Sequence, residues 1–166
     1  LCLAHYSHRK GYDLLFDALN KIKGKEHFEV HAAGRNTDSP DFRQLMDRHG
    51  VSEVTCHGLL DKHEVLKLLY HCDALVLPTR GEVHPLVVLE AISSGMPAVI
   101  TEACPTHTLP PGSYIPVSLN TIGEGLLKVR TFLKTYDAKA ASQHIANTLS
   151  TQAVARSIER NIMEHL

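Results

Sequence analysis

Two carboxylates, Glu82 and Glu90, stand with seven residues between them inside the most apolar and most heavily punctuated stretch of the chain, LPTRGEVHPLVVLEAISSGMPAVIT from Leu77 to Thr101. A carboxylate has two acceptor oxygens and no donor. Beside a phosphate it repels; beside a diol such as a ribose it accepts from both hydroxyls. Glu90 falls about one turn into the helix expected after Pro85, and helical side chains lean back toward the N-terminus. Its carboxylate is therefore expected over the mouth of that helix, where free N–H groups and a positive dipole favour an anion. This spacing suits a nucleotide, with phosphates on the helix end near Leu86 and Val87 and the ribose on Glu90.

The elements that must hold these groups read as follows. Asp73 to Leu77 is a short apolar run closed by Pro78, as a buried strand would be. Thr79 to His84 is a polar loop. Pro85 suits the first turn of a helix, Leu86 to Ser94 continue it, and Gly95 stops it before a second buried strand at Ala98 to Ile100. Upstream, Leu1–Ala4, Phe28–Ala33 and Ser52–His57 read as strands, and Ser113–Val117 as a last one. Helices are expected from Gly11, over Phe42–His49, and after Asp61, which forms a capping box with Glu64 and sends Val65, Leu66, Leu69 and Tyr70 toward the core. Gly123-x-Gly125 reads as a helix start before Leu126–Leu133, not as a phosphate loop. Ala138–Leu166 is expected to be largely helical, with a stripe of Ile145, Leu149, Val154, Ile158 and Met163. Strands alternating with helices give an α/β, doubly wound, Rossmann-like parallel sheet of five or six strands, where ligands bind beyond the carboxyl ends of the strands.

With Glu82, Glu90-Ala and Gly95-x-Pro97-x-Val-Ile on the page, the stretch resembles the nucleotide-sugar-binding motif of the group-1 (family 4) retaining glycosyltransferases of the GT-B fold. The resemblance covers roughly the first four-fifths of the chain. It implies that Glu82 contacts the donor sugar, that Glu90 contacts the ribose, and that N–H groups near Leu86 and Val87 hold the diphosphate. Lys10-Gly11 matches the family's Lys-Gly, whose lysine reaches the donor phosphates, and Gly34 matches the glycine where the nucleotide approaches. Backbone groups near Leu59 would border the base. Two departures stand out. His5 occupies the place of a phosphate-binding arginine, and Val83-His84-Pro85 replaces a Gly-Phe-Gly or Gly-Phe-Pro loop, putting His84 among the donor contacts. Lys10 as a solvated loop lysine, Gly34 as a plain strand end and His5 as a strand-end histidine remain open alternatives.

Composition narrows the rest. The 166 residues, 43% of them hydrophobic, suffice for one domain with a real core. We expect a single donor-binding domain over 1–166, with a Rossmann-like core at 1–135 and C-terminal helices at 136–166. A formal charge of −1 and a pI of about 6.9 provide no basic field for nucleic acid. Cys2, Cys56, Cys72 and Cys104 fit neither a disulfide framework nor a zinc spacing and read as buried thiols. The short spacings His5/His8 and His27/His31 lack a His-Glu-x-x-His motif, and the absence of an Asp-x-Asp triplet argues against the metal-dependent GT-A class. No metal or other cofactor is expected. No apolar run approaches a membrane span. The chain opens on a strand-like Leu1-Cys-Leu-Ala4, as an excised piece of a longer protein would.

The expectation is thus half of a GT-B enzyme that binds a nucleotide-diphosphate sugar, with an absent N-terminal domain carrying the acceptor site. It would be cytoplasmic, with peripheral association at the inner face of a membrane through the missing half. Two alternatives stand beside it: a non-catalytic nucleotide-binding module, and a GT-B-like epimerase or phosphorylase.

Overall fold

The computed structural model describes residues 1–150 apart from Lys23, Lys25 and Glu26. Among these residues six short parallel strands and six α-helices alternate as far as β5, after which β6 and two helices follow: β1 (Cys2–Leu3), α1 (Tyr12–Ile22), β2 (Val30–Ala33), α2 (Pro40–Arg48), β3 (Val54–Gly58), α3 (Lys62–His71), β4 (Leu75–Leu77), α4 (Leu86–Ser93), β5 (Ala98–Thr101), β6 (Tyr114–Val117), α5 (Ile122–Phe132) and α6 (Ala138–Leu149). β1, β2 and β3 pair in that order, as do β4, β5 and β6. The Val76 N–H donates to the Leu1 carbonyl at 2.7 Å and the Leu1 amino group to the Ala74 carbonyl at 2.8 Å. These two bonds join the halves into the order 3-2-1-4-5-6, with its switch point between β1 and β4. Clefts beyond the carboxyl ends of the strands form at such a point.

The central strands β4 and β5 are buried on both faces and read as continuous apolar runs rather than alternating ones, while the edge strands β3 and β6 expose Thr55 and Pro116. One face carries α1, α2 and α5, whose Tyr12, Phe16, Phe42, Ile122 and Leu126 pack on Cys2, Ala32, Val76 and Val99. The other carries α3, α4 and α6, whose Leu69, Val88, Ile92, Ala141 and Ile145 pack on Leu75, Leu77, Ala98 and Ile100. The sheet is doubly wound, as the alternation of elements implies.

The capping box at Asp61 forms, with the Glu64 N–H on Asp61 and the Asp61 N–H on the Glu64 carboxylate, both at 2.9 Å. The buried stripe of α3 differs from expectation. It is Val65, Leu68, Leu69 and Cys72, spaced i, i+3, i+4, i+7, while Tyr70 is 77% exposed and Leu66 turns to the rim of a cleft. Helix α2 starts at Pro40 rather than Phe42, because the Ser39 hydroxyl caps it by accepting from the Phe42 N–H. Gly123 and Gly125 fall in the first turn of α5, at the helix start expected there. A Cβ on Gly125 would come within 2.5 Å of Val117, so the small residues let this helix sit against the sheet. Of the stripe expected in the C-terminal segment, Ile145 is buried and Leu149 half-buried; Val154, Ile158 and Met163 lie outside the described residues. All four cysteines are free, Cys2 and Cys104 buried and the other two half-buried.

Fully buried Thr37 pins the loop after β2. Its hydroxyl lies 3.0 Å from the Gly34 carbonyl and accepts from the Gly58 N–H at 3.0 Å. Thr37→Val keeps the shape and orphans that N–H, so it is expected to cost about 1–3 kcal/mol in urea unfolding.

Candidate functional site

The carboxyl ends of β1 and β2 open onto a cleft of about 1020 Å³, closed on the other sides by the loop after β3, α3, α4 and the end of α6. Five of the eight residues singled out from the sequence line it: His5, Gly34, Leu86, Val87 and Glu90. Its apolar walls include Leu3, Leu59, Leu60, Val65 and Leu69, and its ionisable groups are His5, Arg35, Lys62 and Glu90. Arg35 and Lys62 carry no sequence signal of their own. The only hint is that each follows a punctuation residue, Gly34 and the N-cap Asp61, at the cleft end of its element.

The Gly34 backbone, at φ 137°, is one that L side chains rarely adopt, and a Cβ there would meet the Ala4 carbonyl oxygen at 2.3 Å. Its N–H also donates to the Gly58 carbonyl at 2.7 Å. The requirement for glycine therefore comes first from the ends of β1 and β2 packing together.

Pro85 is the N-cap of α4, with no side-chain acceptor for the first turn. The Leu86 N–H folds back onto the His84 carbonyl at 2.9 Å, and the N–H groups of Val88 and Leu89 reach the Pro85 carbonyl. Among the described residues nothing accepts from the Val87 N–H, which is the donor this helix end leaves for an anion. Glu90 is exposed on the same helix, in the cleft wall. His84 is exposed on the loop and lines no part of this cleft.

Lys10 and Glu82 meet one another outside the lining. Each side chain is only 11% exposed, and the Lys10 ammonium donates to Glu82 Oε2 at 2.5 Å. Glu82 Oε1 accepts from its neighbour's N–H, that of Val83, at 3.0 Å. Burial alone would raise the Glu82 pKa, but the hydrogen bonds from Lys10 and Val83 and the lysine's charge outweigh it and hold the carboxyl below its ordinary value. Burial first, then the Glu82 charge, push the adjacent Cys104 thiol up to about 11, so it stays protonated and unreactive. Lys10 spends one of its three donors on Glu82 and keeps two.

A second ion pair fixes the lysine's backbone. Arg80 forks onto Asp13, with Nη1 to Oδ1 at 2.9 Å and Nη2 to Oδ2 at 2.5 Å, and Nη1 also donates to the His8 carbonyl at 2.6 Å. The hydrogen bonds from Arg80 depress the Asp13 pKa. The Arg80 N–H donates to the Arg9 carbonyl at 2.8 Å, and the Thr79 hydroxyl lies 3.1 Å from the same oxygen. The loop carrying Glu82 thus clamps the turn at His8–Lys10 that carries the lysine.

The family model for group 1 glycosyl transferases matches residues 1–115, and the chain belongs to that family. It corresponds to the C-terminal domain of a GT-B enzyme. The chain is 25% identical over 163 residues to the N,N'-diacetylbacillosaminyl-diphospho-undecaprenol alpha-1,3-N-acetylgalactosaminyltransferase of Campylobacter jejuni; the match covers 97% of this chain and 38% of the relative. Among solved structures, Anabaena Alr3699/HepE in complex with UDP and glucose superposes with a TM-score of 0.74 at 19% identity, over 98% of this chain and 47% of that one. The C-terminal domain of a glycosyl transferase group 1 family protein (LpcC) from Francisella tularensis gives 0.68 at 16%, over 90% and 85%. The chain therefore spans 38% and 47% of these two longer relatives, and 85% of the single C-terminal domain.

Proposed function

We propose that this chain is the donor-binding half of a two-domain glycosyltransferase and holds a nucleotide-diphosphate sugar for retaining transfer of a hexosyl unit. The observation that carries this reading is the convergence of His5, Gly34, Leu86, Val87 and Glu90 on one cleft at the carboxyl edge of the sheet. The Glu90 carboxylate accepts from the ribose diol, and Leu59 and Leu60 flank the base. The Val87 N–H, His5, Arg35 and Lys62 face the diphosphate. Lys10 lends its remaining donors to the charge that develops on the departing diphosphate, which is electrostatic stabilisation of a leaving group. Glu82 orients the sugar and the lysine together, and His84 borders the sugar from the loop. No metal takes part. That Anabaena Alr3699/HepE is described with UDP and glucose supports a nucleoside diphosphate here.

The acceptor site belongs to an N-terminal partner domain. The Campylobacter relative's name includes a diphospho-undecaprenol, which favours a cytoplasmic enzyme working at the inner face of a membrane through that other half. No helix of the described residues is long and apolar enough to cross one.

Calorimetric titration of UDP, GDP and ADP into the wild type and Glu90→Gln tests the reading. Losing a charged acceptor is expected to weaken the best of the three by about 1.5–3 kcal/mol, roughly 10- to 150-fold. Equal affinities would remove Glu90 from the ribose site. The Lys10–Glu82 pair and His5 favour one second reading, a module that binds nucleotide without transfer. Sugar transfer by this chain joined to its N-terminal domain decides against that reading, and nucleotide binding without transfer decides for it.

A further inference from the structure

At the opposite end of the sheet, away from the proposed donor cleft, a second opening of about 690 Å³ is lined by Glu29, His31, His71 and Asp73 among others. Three side chains converge there. His31, buried near the start of β2, points Nε2 at Glu29 Oε1, 3.2 Å away, and its ring meets that of His71 edge-on at 5.6 Å. One donor atom from each of Glu29, His31 and His71 lies within 4.8 Å of the other two. Three donors held at about 2.0–2.1 Å around a tetrahedral zinc ion sit about 3.3 Å from one another. The Glu29–His31 pair already has that separation. His71, exposed at the end of α3, needs only a small side-chain adjustment.

The other nitrogen of His31 is also engaged, since Nδ1 lies 2.9 Å from Nε2 of half-buried His57. A ligating histidine that donates its second N–H to a fixed acceptor is held in one tautomer and one orientation. With Nδ1–H donating to His57, the Nε2 lone pair of His31 faces the carboxylate of Glu29, an arrangement that calls for a cation between them. The rival arrangement has Nε2–H donating to Glu29 and needs no ion. It gains little there, because the Glu29 side chain is 70% exposed.

We propose that Glu29, His31 and His71 form a zinc site, His57 being the positioning residue behind His31 and a water from the opening taking the fourth place. Two nitrogens and a carboxylate suit zinc among the divalent ions. The ion ties the start of β2 to the end of α3 and so acts on stability. It stands apart from donor binding and does not rest on that reading.

Calorimetric titration of zinc into the metal-free chain, repeated with cobalt and followed by its d–d absorption, tests the site. The wild type is expected to bind one ion with the absorption of a four-coordinate cobalt centre. Free zinc at about a hundred times Kd should raise the unfolding midpoint by roughly 5–10 °C, a gain reversed by a chelator. Glu29→Gln and His71→Ala change exposed side chains and should fold; each should weaken zinc at least about 10-fold, and His57→Ala about 10- to 100-fold. His63→Ala, exposed at the other end of α3, should leave affinity unchanged. The chain has twelve histidines, so zinc bound equally by wild type, Glu29→Gln and His71→Ala would place the ion elsewhere and overturn the proposal. So would failure of the wild type to bind stoichiometric zinc, which would leave a hydrogen-bonded histidine pair.

Discussion

Gly11→Ala is expected to destabilise the fold by about 3 kcal/mol or more, at the upper end of what single substitutions usually do. Two costs add. The backbone at Gly11 has φ 71°, a left-handed conformation that costs an L residue about 1–2 kcal/mol. In addition, a Cβ there would stand 1.9 Å from the Pro78 carbonyl oxygen, a backbone atom just past the end of β4, so one loop or the other must move. For a domain of this size the loss corresponds to a midpoint lower by roughly 6–12 °C. Gly112→Ala is the control, since it has φ 76° and nothing within 4 Å of the added carbon. It should show the conformational cost alone, about 1–2 kcal/mol. Equal losses in urea unfolding for the two variants would mean that the contact between Gly11 and Pro78 is relaxed without cost. Because Pro78 leads into the loop that carries Glu82, a real clash should also disturb the Lys10–Glu82 pair.

That contact joins residues 67 positions apart in the sequence, and it shows where reading the chain stops. Strands and helices were legible because their signals are local. Pro78 ends β4, Gly95 ends α4, and Asp61 with Glu64 opens α3, each through its own backbone chemistry. The phase of α3 was not. Val65, Leu66, Leu69 and Tyr70 make a good apolar stripe, and so do Val65, Leu68, Leu69 and Cys72; the choice is made by which face α4 and β4 leave uncovered, a tertiary matter. Likewise the spacing of Gly123 and Gly125 suggests a helix start, yet their smallness serves packing against Val117 and Ile22, residues no local pattern connects to them.

The candidate site divides the same way. Glu90, Leu86 and Val87 were readable together because one helix orders them, whereas His5 and Gly34 entered only through the family resemblance, and the structure brings them to the same cleft. Arg35 and Lys62 were not readable, being basic residues on exposed element ends like several others. Nor was the Lys10–Glu82 pair, whose members are 72 positions apart; the resemblance gave each a role toward the donor and none toward the other. The Glu29–His31–His71 cluster escaped for the same reason. Glu29 and His31 share one face of the chain entering β2, but their third partner comes from the far end of α3, so no metal-ligand spacing appears.

Lys10→Met is expected to cost about 3 kcal/mol, the low end of the range for removing one partner of a buried ion pair, because the two side chains still touch water at 11% exposure. Most of that cost is the Glu82 carboxylate left without its counter-charge. Glu82→Gln should cost less, since the amide oxygen can still accept from the Val83 N–H. The double variant should be more stable than the sum of the single losses implies, by about 1–3 kcal/mol. The pH dependence follows from the depressed Glu82 pKa. The folded state binds that proton less readily than the unfolded chain does, so the pair's contribution is fully present above the unfolded carboxylate range near 4.5. It is lost as pH falls through the lower folded value. In Lys10→Met the sign reverses: burial still raises the carboxyl while the Val83 N–H offsets only part of it, and the variant should gain stability relative to wild type as pH drops from about 7 toward 4. Urea unfolding of wild type and the three variants across that range reads both effects. Single losses that simply add, with the same pH slope in all four proteins, would show that Lys10 and Glu82 are neighbours without being coupled.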